Sequence, residues 1–538
     1  MRGSAGLIGI SALGPLLEAC GGGGSSASTA AGTTVAGSSL KAAPKFAMLA
    51  PGSLPYMDVI QGFDANSYNV LRNGVEPLLK ISPSGALGPG LATSFKQVDA
   101  LTFVYELREG VEFWDGSALT PEDVIFSVQR SAGETSLVNY YWSTLKSATK
   151  TGPMEVTIKI TQPTAFQPYI PAYAGLLVVS KKYAEKLGSK FGTPNGGTMG
   201  TGPYVIDSQW NADEGITLEA NTSYWDKANE PLVRKVEYHV ISDPSAALTA
   251  AQSGQVQGLL DPSPIEAGQW SHVGFSTISK PGLASVFFGF NTQMEPFDDV
   301  HARRAFAHCI DREGLASGVF KGGLEAATVI TPPSQWAGMV SEAEARKNGA
   351  ATMQYPFDVE AAKAELKKSK YPNGFTLECP VEPNRPYVLQ TAEATAEALK
   401  QIGVDMSVKE ISEEVYGENQ ANHEVPLQIV RYTADNNDPL NQQYYICFGK
   451  FAEKGQPNFA NYKSAKMDKL LTTYDSTPIG STKLKLANQV NELIQEDLPY
   501  APVGWPDATI LLKEGFGMKR WDGYTDTFGP LLNLLGAV

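Results

Sequence analysis

The stretch from residue 358 to residue 432 alternates helical and strand patterns, and this alternation restricts the fold more than any other feature of the sequence. Amphipathic spacing marks the helices, and short apolar runs mark the strands. The predicted elements, in chain order, are helix 358–369, strand 375–381, helix 391–403, strand 404–411 and strand 427–432. Strands that alternate with helices favour an α/β fold with a mostly parallel sheet covered by helices.

Two polar loops follow predicted strands in this part of the chain. The loop "EPNRPY" covers 382–387, and the loop "TADNNDP" covers 433–439. The second loop places two aspartates and two asparagines at consecutive positions, shortly after Tyr432. Because ligands of open α/β sheets bind beyond the carboxyl ends of strands, we expect both loops to contribute to a binding site.

The acidic loop does not fit a calcium site, and its second half has a structural interpretation. Asp435 and Asn437 match the first two ligands of an EF-hand, but Leu440 stands where that motif needs glycine. Asp438 precedes Pro439 and is predicted to cap a helix that begins with the proline. The two asparagines are typical turn formers. Asp435 is therefore the member of the loop for which we predict a function.

The length, charge and motifs of the chain narrow its class. At 538 residues it is long enough for two or three domains with large cores. The net charge of -14 argues against nucleic acid as a partner, because nucleic-acid binding requires clustered Lys and Arg. The common nucleophile, zinc-protease and phosphate-loop motifs are missing, and the histidines are scattered. We therefore predict no enzyme, no metal site and no cofactor.

The amino-terminal segment predicts export and attachment to a membrane by lipid. An apolar run at 7–17 is too short to span a bilayer. The "LEAC" that follows resembles the lipobox of bacterial lipoproteins, which makes Cys20 the acylated first residue after a signal peptide of residues 1–19. A Gly- and Ser-rich composition predicts a flexible tether over 20–45. We expect an extracytoplasmic lipoprotein, in the periplasm or at the outer face of the cytoplasmic membrane, held by lipid alone.

The remaining cysteines are isolated from one another and from histidines at ligand spacing. They are Cys309, Cys379 and Cys447. Three cysteines allow at most one disulfide within the chain. For at least two of them we expect buried free thiols, which behave as small apolar groups.

Five further segments carry a resemblance to a known family. They are "TFVYELREGVEFWDGSALTPEDVIFSVQR" (102–130), "GTGPY" (200–204), "NTSYW" (221–225), "FFGFNTQMEPFDDVHARRAFAHCIDREGL" (287–315) and "DLPYAPV" (497–503). They follow one another in that family's order and spread over nearly the whole chain past the tether. The chain thus resembles the bacterial extracellular solute-binding proteins of family 5, the peptide-binding group of ABC importers.

The resemblance implies an α/β fold of two lobes, that of the type II (cluster C) periplasmic binding proteins, with an extra subdomain inserted in the first lobe. The implied divisions are lobe I at 46–80, 196–286 and 505–538, the insertion at 81–195, and lobe II at 287–504. Ligand would bind in the cleft between the lobes, and the crossings between them would form the hinge.

The resemblance also assigns site residues. In members specialised for dipeptides, an aspartate in a W-x-x-D sequence binds the peptide ammonium and an arginine in R-P-Y binds its carboxylate. Asp435 and Arg385 match these positions, with Tyr432 in place of the tryptophan. Tyr432 and Tyr387 are expected to form flat walls of the pocket. Arg385 has an alternative role, a surface ion pair with Glu382.

These inferences together predict a monomeric, non-catalytic receptor that captures di- or tripeptides and delivers them to an ABC permease and its ATPase. Within the family, the alternatives are an opine-like conjugate, an oligosaccharide or a nickel chelate. The nickel chelate is disfavoured because neither loop holds a histidine. From other classes, the alternatives are a secreted peptidase and a sensory receptor.

Overall fold

A computed structural model describes residues 40–538, apart from residues 63, 83–84, 165–166, 383–384 and 524–528. The predicted signal peptide, Cys20 and the tether up to residue 39 lie outside the described residues. None of the helices in the described part of the chain combines the length and the apolar composition that crossing a membrane requires.

The strands of the described residues are short except for one near the carboxyl terminus. They are β1 (Phe46–Ala50), β2 (Leu79–Ile81), β3 (Leu87–Pro89), β4 (Ala92–Asp99), β5 (Thr102–Leu107), β6 (Leu145–Gly152), β7 (Glu155–Ile160), β8 (Tyr204–Ile206), β9 (Gly215–Ala220), β10 (Lys235–Val240), β11 (Gly258–Leu260), β12 (Phe275–Pro281), β13 (Ala284–Phe290), β14 (Leu324–Ala326), β15 (Thr376–Val381), β16 (Asp405–Glu410), β17 (Leu427–Thr433), β18 (Tyr500–Lys513), β19 (Phe516–Met518) and β20 (Leu535–Ala537).

The helices cluster in the second half of the chain. They are α1 (Ala65–Leu71), α2 (Pro121–Ser131), α3 (Lys181–Leu187), α4 (Pro244–Ser253), α5 (Pro264–Ser271), α6 (Val300–Ala307), α7 (Arg312–Gly318), α8 (Glu342–Ala350), α9 (Val359–Leu366), α10 (Pro386–Lys400), α11 (Glu413–Asn422), α12 (Asn441–Cys447), α13 (Ala465–Asp475) and α14 (Ser481–Asp497).

The long strand β18 belongs to two sheets. Its residues 507–513 pair with β11 and β12, in a sheet that continues through β1, β10, β9 and β8. We call this group sheet 1. Its residues 500–506 pair with β13 and β14, and β13 pairs in turn with β17. We call this second group sheet 2. One continuous strand therefore links the two sheets.

The prediction of a mostly parallel sheet is wrong for both sheets. In sheet 2 the described pairs are antiparallel, and in sheet 1 β1 is the strand that runs parallel to its neighbours, β10 and β11. The strand–helix–strand pattern of 375–411 forms a separate parallel pair, β15 with β16. The sequence predicted these strands but not their partners, because β17 pairs with β13, which lies far away in the chain.

Local end signals in the sequence explain where several helices begin and end. Thr120 and Asp123 form a reciprocal cap at the start of α2, with Pro121 in its first turn. Helix α4 ends at Gly254, whose φ of +78° favours glycine. Helix α10, in contrast, begins at Pro386, five residues before the predicted start, because that proline fits the first turn of a helix.

The segment 81–195, the predicted insertion, contains its own sheet. Strands β4, β5, β7 and β6 lie side by side in that order, antiparallel to one another. Helix α2 packs on this sheet through buried residues that include Val124 and Val128. A 3-10 turn at Asn139–Trp142 follows and brings two tyrosines towards the site described below.

Strand β13 shows how the core is assembled. All of its residues are buried, as expected for a strand covered on both faces. Val286, Phe288 and Phe290 pack into one apolar cluster, whereas Phe287 points into another, where its ring lies 5.2 Å from that of Tyr500. Burying each phenylalanine contributes roughly 1.5–3 kcal/mol.

Two predictions about the termini and thiols can be compared with the structure. Lys41 pairs with Ala537, and the Ala43 amide donates to the carbonyl of Leu232, so these residues of the predicted tether are attached to the fold.

The three cysteines after Cys20 are free and buried, which confirms the prediction of buried thiols.

Candidate ligand-binding site

Asp435 lies just beyond the carboxyl end of β17, at a position fixed by the backbone. The amide of Ala434 donates to the carbonyl of Leu283, which continues the pairing of β17 with β13. The amide of Asp435 donates to the Oδ1 atom of Asn441, at the start of α12. These two hydrogen bonds hold the backbone at Asp435 in place and do not involve its carboxyl group.

A cavity of about 240 Å³ lies next to this carboxyl group. On the sheet 1 side, Leu260 ends β11 and Asp261 follows it; on the sheet 2 side, Arg431 lies on β17 and Asp435 lies just beyond its end. The residues that line it also include Asp64, Ala65, Tyr68, Asn69, Tyr173, Ala174, Thr433 and Ala434. The cavity is therefore walled by both sheets, by α1 and by the inserted segment.

The carboxyl group of Asp435 has an unusual electrostatic environment. Burial raises its pKa to about 7, and the hydroxyl of the nearby Tyr141 moderates this rise. No Lys, Arg or His nitrogen of the described residues lies within 4.0 Å of it, since it forms no salt bridge. A desolvated carboxylate without a cationic partner is energetically unfavourable, and a cationic ligand group would supply the missing charge.

Tyrosines from several parts of the chain surround this carboxylate. Its charge raises the pKa of each of them further, in addition to the larger effect of burial. They are Tyr140 and Tyr141 of the 3-10 turn, Tyr173, Tyr432 on β17 and Tyr445 on α12. Tyr140 is packed against Tyr141 and Tyr445, with ring centroids 4.0 and 5.7 Å away, yet it is 38% exposed. Such rings offer flat faces to a cation.

Tyr432 lies close enough to Asp435 for that carboxylate to raise the pKa of its phenol, and the structure corrects the role of Asp438. Helix α12 begins at Asn441, so Asp438 is not its cap. The Asp438 carboxylate accepts hydrogen bonds from the Leu440 amide and from the hydroxyl of Tyr474, at 2.9 and 2.7 Å. Lys483 lies close enough to act on its charge. Asp438 is a buried structural carboxylate because the chain makes one more turn before the helix starts.

Arg385 lies beside Glu382, the alternative left open by the sequence. Its Nε atom is 3.5 Å from the Glu382 Oε2 atom, and its side chain is 38% exposed. Arg385 and Arg431 both act on the phenol of Tyr387, whose pKa is raised because it is buried. The two arginines and Tyr387 therefore share one neighbourhood, whereas Arg431 is the arginine that lines the cavity with Asp435.

Several residues of the cavity and its surroundings were not predicted from the sequence. Those that line the cavity are Tyr68, Tyr173, Asp261 and Arg431. Those that act on or are acted on by the Asp435 carboxylate are Tyr140, Tyr141 and Tyr445. The tyrosine pairs in "NYYW" and "QQYYIC" are visible in the sequence, but nothing local connects them with Asp435. Only the fold brings them together.

The described residues contain no group of three or more His, Cys, Asp or Glu side chains suited to a metal ion. His301 lies in α6 and His308 directly follows that helix, and each has a partner within the protein. The Nδ1 atom of His301 lies 2.7 Å from a carboxylate oxygen of Glu365, and that of His308 lies 2.8 Å from the carbonyl of Pro356.

A cavity walled by two sheets that share a strand is the geometry of a two-lobed binding protein. The family model of the bacterial extracellular solute-binding proteins, family 5 (its middle region), matches residues 86–453. This match covers more than half of the chain, and the chain belongs to that family. The family consists of extracytoplasmic receptors that serve ABC importers.

Relatives of known name agree with this assignment. The glutathione-binding protein GsiB of Escherichia coli is 24% identical over 482 residues, which cover 87% of this chain and 90% of the relative. The heme-binding protein A of Haemophilus influenzae is 25% identical over 470 residues, which cover 82% and 83%. The periplasmic binding protein DppA of Helicobacter pylori, solved with the peptide STSA, superposes with a TM-score of 0.77 at 23% identity, covering 93% and 98%.

The structural likeness confirms the predicted fold class, an α/β fold of the type II periplasmic binding proteins. The family match likewise confirms the resemblance on which the sequence analysis relied.

Proposed function

We propose that this chain captures a short peptide, of two or three residues, in the cavity beside Asp435 and delivers it to an ABC permease. Asp435 binds the peptide ammonium, and Tyr432 forms a wall next to it. Arg385 binds the peptide carboxylate, with Tyr387 as the wall at that end. Each charge-assisted hydrogen bond of this kind contributes roughly 1.5–3 kcal/mol.

The observation that carries this proposal is the state of Asp435. Its carboxylate lines a cavity, is desolvated, and has no salt-bridge partner among the described residues. Asp438, by contrast, has Lys483 close enough to act on its charge, in addition to hydrogen bonds from Tyr474 and Leu440. A ligand ammonium fits the unpaired group because it brings both the opposite charge and hydrogen-bond donors.

The size of the cavity supports a small ligand. Ligand pockets commonly measure about 300–1,000 Å³. The cavity of about 240 Å³ lies just below this range, which suits a dipeptide or tripeptide better than a long peptide. By their names, the relatives bind a peptide, glutathione and heme, so the family accepts chemically different ligands. The alternative ligands that the sequence leaves open for this cavity are an opine-like conjugate, an oligosaccharide and a nickel chelate.

The test is a thermal-shift and native mass-spectrometry screen of the purified chain against dipeptides, tripeptides, sugars and opine-like conjugates. Each dipeptide is paired with its N-acetylated form, which keeps the side chains and carboxylate but has no ammonium. We expect free dipeptides to raise the melting temperature and N-acetylated ones to leave it unchanged. Stabilisation by sugars alone would contradict the peptide proposal.

The lobes and the attachment to the membrane belong to the same proposal. We propose the division given by the resemblance: lobe I at 46–80, 196–286 and 505–538, the insertion at 81–195, and lobe II at 287–504. Cys20 carries the lipid that holds this monomeric receptor near its permease. Transport energy comes from the partner ATPase. Release of amino acids from the dipeptides in the screen would favour the peptidase alternative instead.

A further inference from the structure

An ion pair joins the two sheets at the wall of the cavity. The Nη2 atom of Arg431, on β17 of sheet 2, lies 3.0 and 2.8 Å from the two carboxylate oxygens of Asp261. Asp261 directly follows β11 of sheet 1. The two residues lie 170 positions apart in the chain, and the pair bridges the two sheets.

Both partners are held in place by other contacts. The Nη1 atom of Arg431 lies 3.3 Å from the hydroxyl of Thr433, which orients the guanidinium. Asp261 has a φ of +53°, which is uncommon for residues other than glycine, and its amide donates to the carbonyl of Thr509 on β18 at 2.8 Å. Aspartate tolerates this left-handed conformation better than most residues do. The sheet thus presents the carboxylate of Asp261 at a fixed point of the wall.

The pair lies where the sheets approach each other. Helix α5 of the sheet 1 side comes close to α10 of the sheet 2 side. The side chain of Arg431 is 18% exposed and that of Asp261 is 44% exposed, so water is partly excluded from the pair. Partial exclusion of water strengthens the attraction relative to a fully exposed pair.

We propose that Arg431 and Asp261 form a clasp that favours the closed arrangement of the two sheets and slows the release of a captured ligand. The clasp rests on the proposed function for its role in capture, but its effect on closure does not depend on which ligand binds. An interaction that exists in the closed arrangement and not in the open one shifts the equilibrium by its own free energy.

Two variants remove the clasp with little effect on the fold. Asp261→Asn removes the charge, and asparagine also tolerates the left-handed backbone. Arg431→Gln removes the other charge and keeps a polar side chain. The matched control is Glu325→Gln, which breaks the pair of Glu325 with Arg346 at 2.7 and 2.8 Å. The carboxylates of the two pairs are similarly exposed, 45% for Glu325 and 44% for Asp261, whereas Arg346 is 36% exposed and Arg431 18%. The control pair joins β14 and α8 without crossing to sheet 1.

Closure is measured without ligand by small-angle X-ray scattering of the full chain at low and high salt. We expect both clasp variants to increase the radius of gyration at low salt, and Glu325→Gln to leave it unchanged. High salt should increase the radius of the unmodified protein towards that of the variants, because ions screen a partly exposed pair. A radius of gyration that is the same in all four proteins at both salt concentrations would overturn the clasp.

Release is measured by stopped-flow with the dipeptide Ala-Phe. We expect both clasp variants to release it about two- to fivefold faster, and the double variant to be no faster than either single one. If Arg431 instead holds the peptide carboxylate, Asp261→Asn would slow release and Arg431→Gln would speed it, and these opposite effects would overturn the clasp. If the unmodified protein does not bind the dipeptide, the proposed function fails, and scattering alone decides on the clasp.

Discussion

Asp435 and Asp438 belong to the same turn, yet Lys483 lies near the carboxylate of Asp438, and in the described part of the chain no cationic side chain pairs with that of Asp435. Asp438 accepts hydrogen bonds from Leu440 and Tyr474, and Lys483 lies nearby. Asp435 lines a cavity and has no salt bridge among the described residues. We infer from this difference that Asp438 stabilises the fold and that Asp435 is available to a ligand.

Replacing Asp435 and Asp438 one at a time by asparagine tests the two roles against each other. We expect Asp435→Asn to lower the affinity for a free dipeptide by at least 100-fold, because a charge-assisted contact is lost and the ligand ammonium is buried unpaired. Asp438→Asn should destabilise the fold by about 1–3 kcal/mol, because buried donors lose their acceptor charge. Calorimetric titration and thermal unfolding measure the two effects. Equal peptide affinity in Asp435→Asn and the unmodified protein would contradict the assigned role.

The stability of the ligand-free protein should depend on Asp435 in a defined pH range. Because the folded-state pKa is raised to about 7, this group favours folding below its unfolded pKa, near 4, and the benefit is lost as the pH rises through 7. At pH 8 the loss amounts to up to about 4 kcal/mol, at about 1.4 kcal/mol per pKa unit. Asp435→Asn should therefore be the more stable protein at pH 8 and show a smaller decline between pH 4 and 7. Urea unfolding at several pH values measures this difference.

Because the pKa of Asp435 is raised, peptide binding should release a proton from its carboxyl group. An ammonium group prefers the ionised Asp435, so affinity should fall below pH 7, by up to about tenfold per pH unit. Binding at pH 6 should release close to one proton. Calorimetric titrations at pH 6 in buffers of different ionisation enthalpy measure the proton, and Asp438→Asn serves as the control that keeps this linkage. No change of affinity between pH 8 and pH 5.5 would argue against an ammonium at Asp435.

Comparing free and C-amidated dipeptides tests whether Arg385 binds the peptide carboxylate. If Arg385 binds the peptide carboxylate, Arg385→Gln should weaken binding of a free dipeptide by about 10- to 100-fold and leave a C-amidated dipeptide almost unaffected. Arg385 must then leave Glu382, from which it is now 3.5 Å away. Equal affinity of Arg385→Gln and the unmodified protein for both peptides would leave the Glu382 pair as the role of Arg385.

The parts of this protein that depend on local signals can be predicted from the sequence. The reciprocal cap at Thr120, the end of α4 at Gly254 and the position of Asp435 after a strand all follow from residues close in the chain. Sheet pairing and the tyrosines around Asp435 do not. Tyr141 and Tyr445 lie in separate segments, and long-range pairing is set by the whole core.

Attachment to the membrane can be tested independently of the cleft. If Cys20 is acylated, the unmodified chain produced in a bacterial host should sediment with membranes, and Cys20→Ser should move to the soluble or culture fraction. The matched control is Cys309→Ser, since Cys309 is a free and buried thiol within the fold and cannot carry an anchor there. Fractionation followed by mass spectrometry of the amino-terminal peptide measures both outcomes. A Cys20→Ser chain that still sediments with membranes would show that the lipobox assignment is wrong.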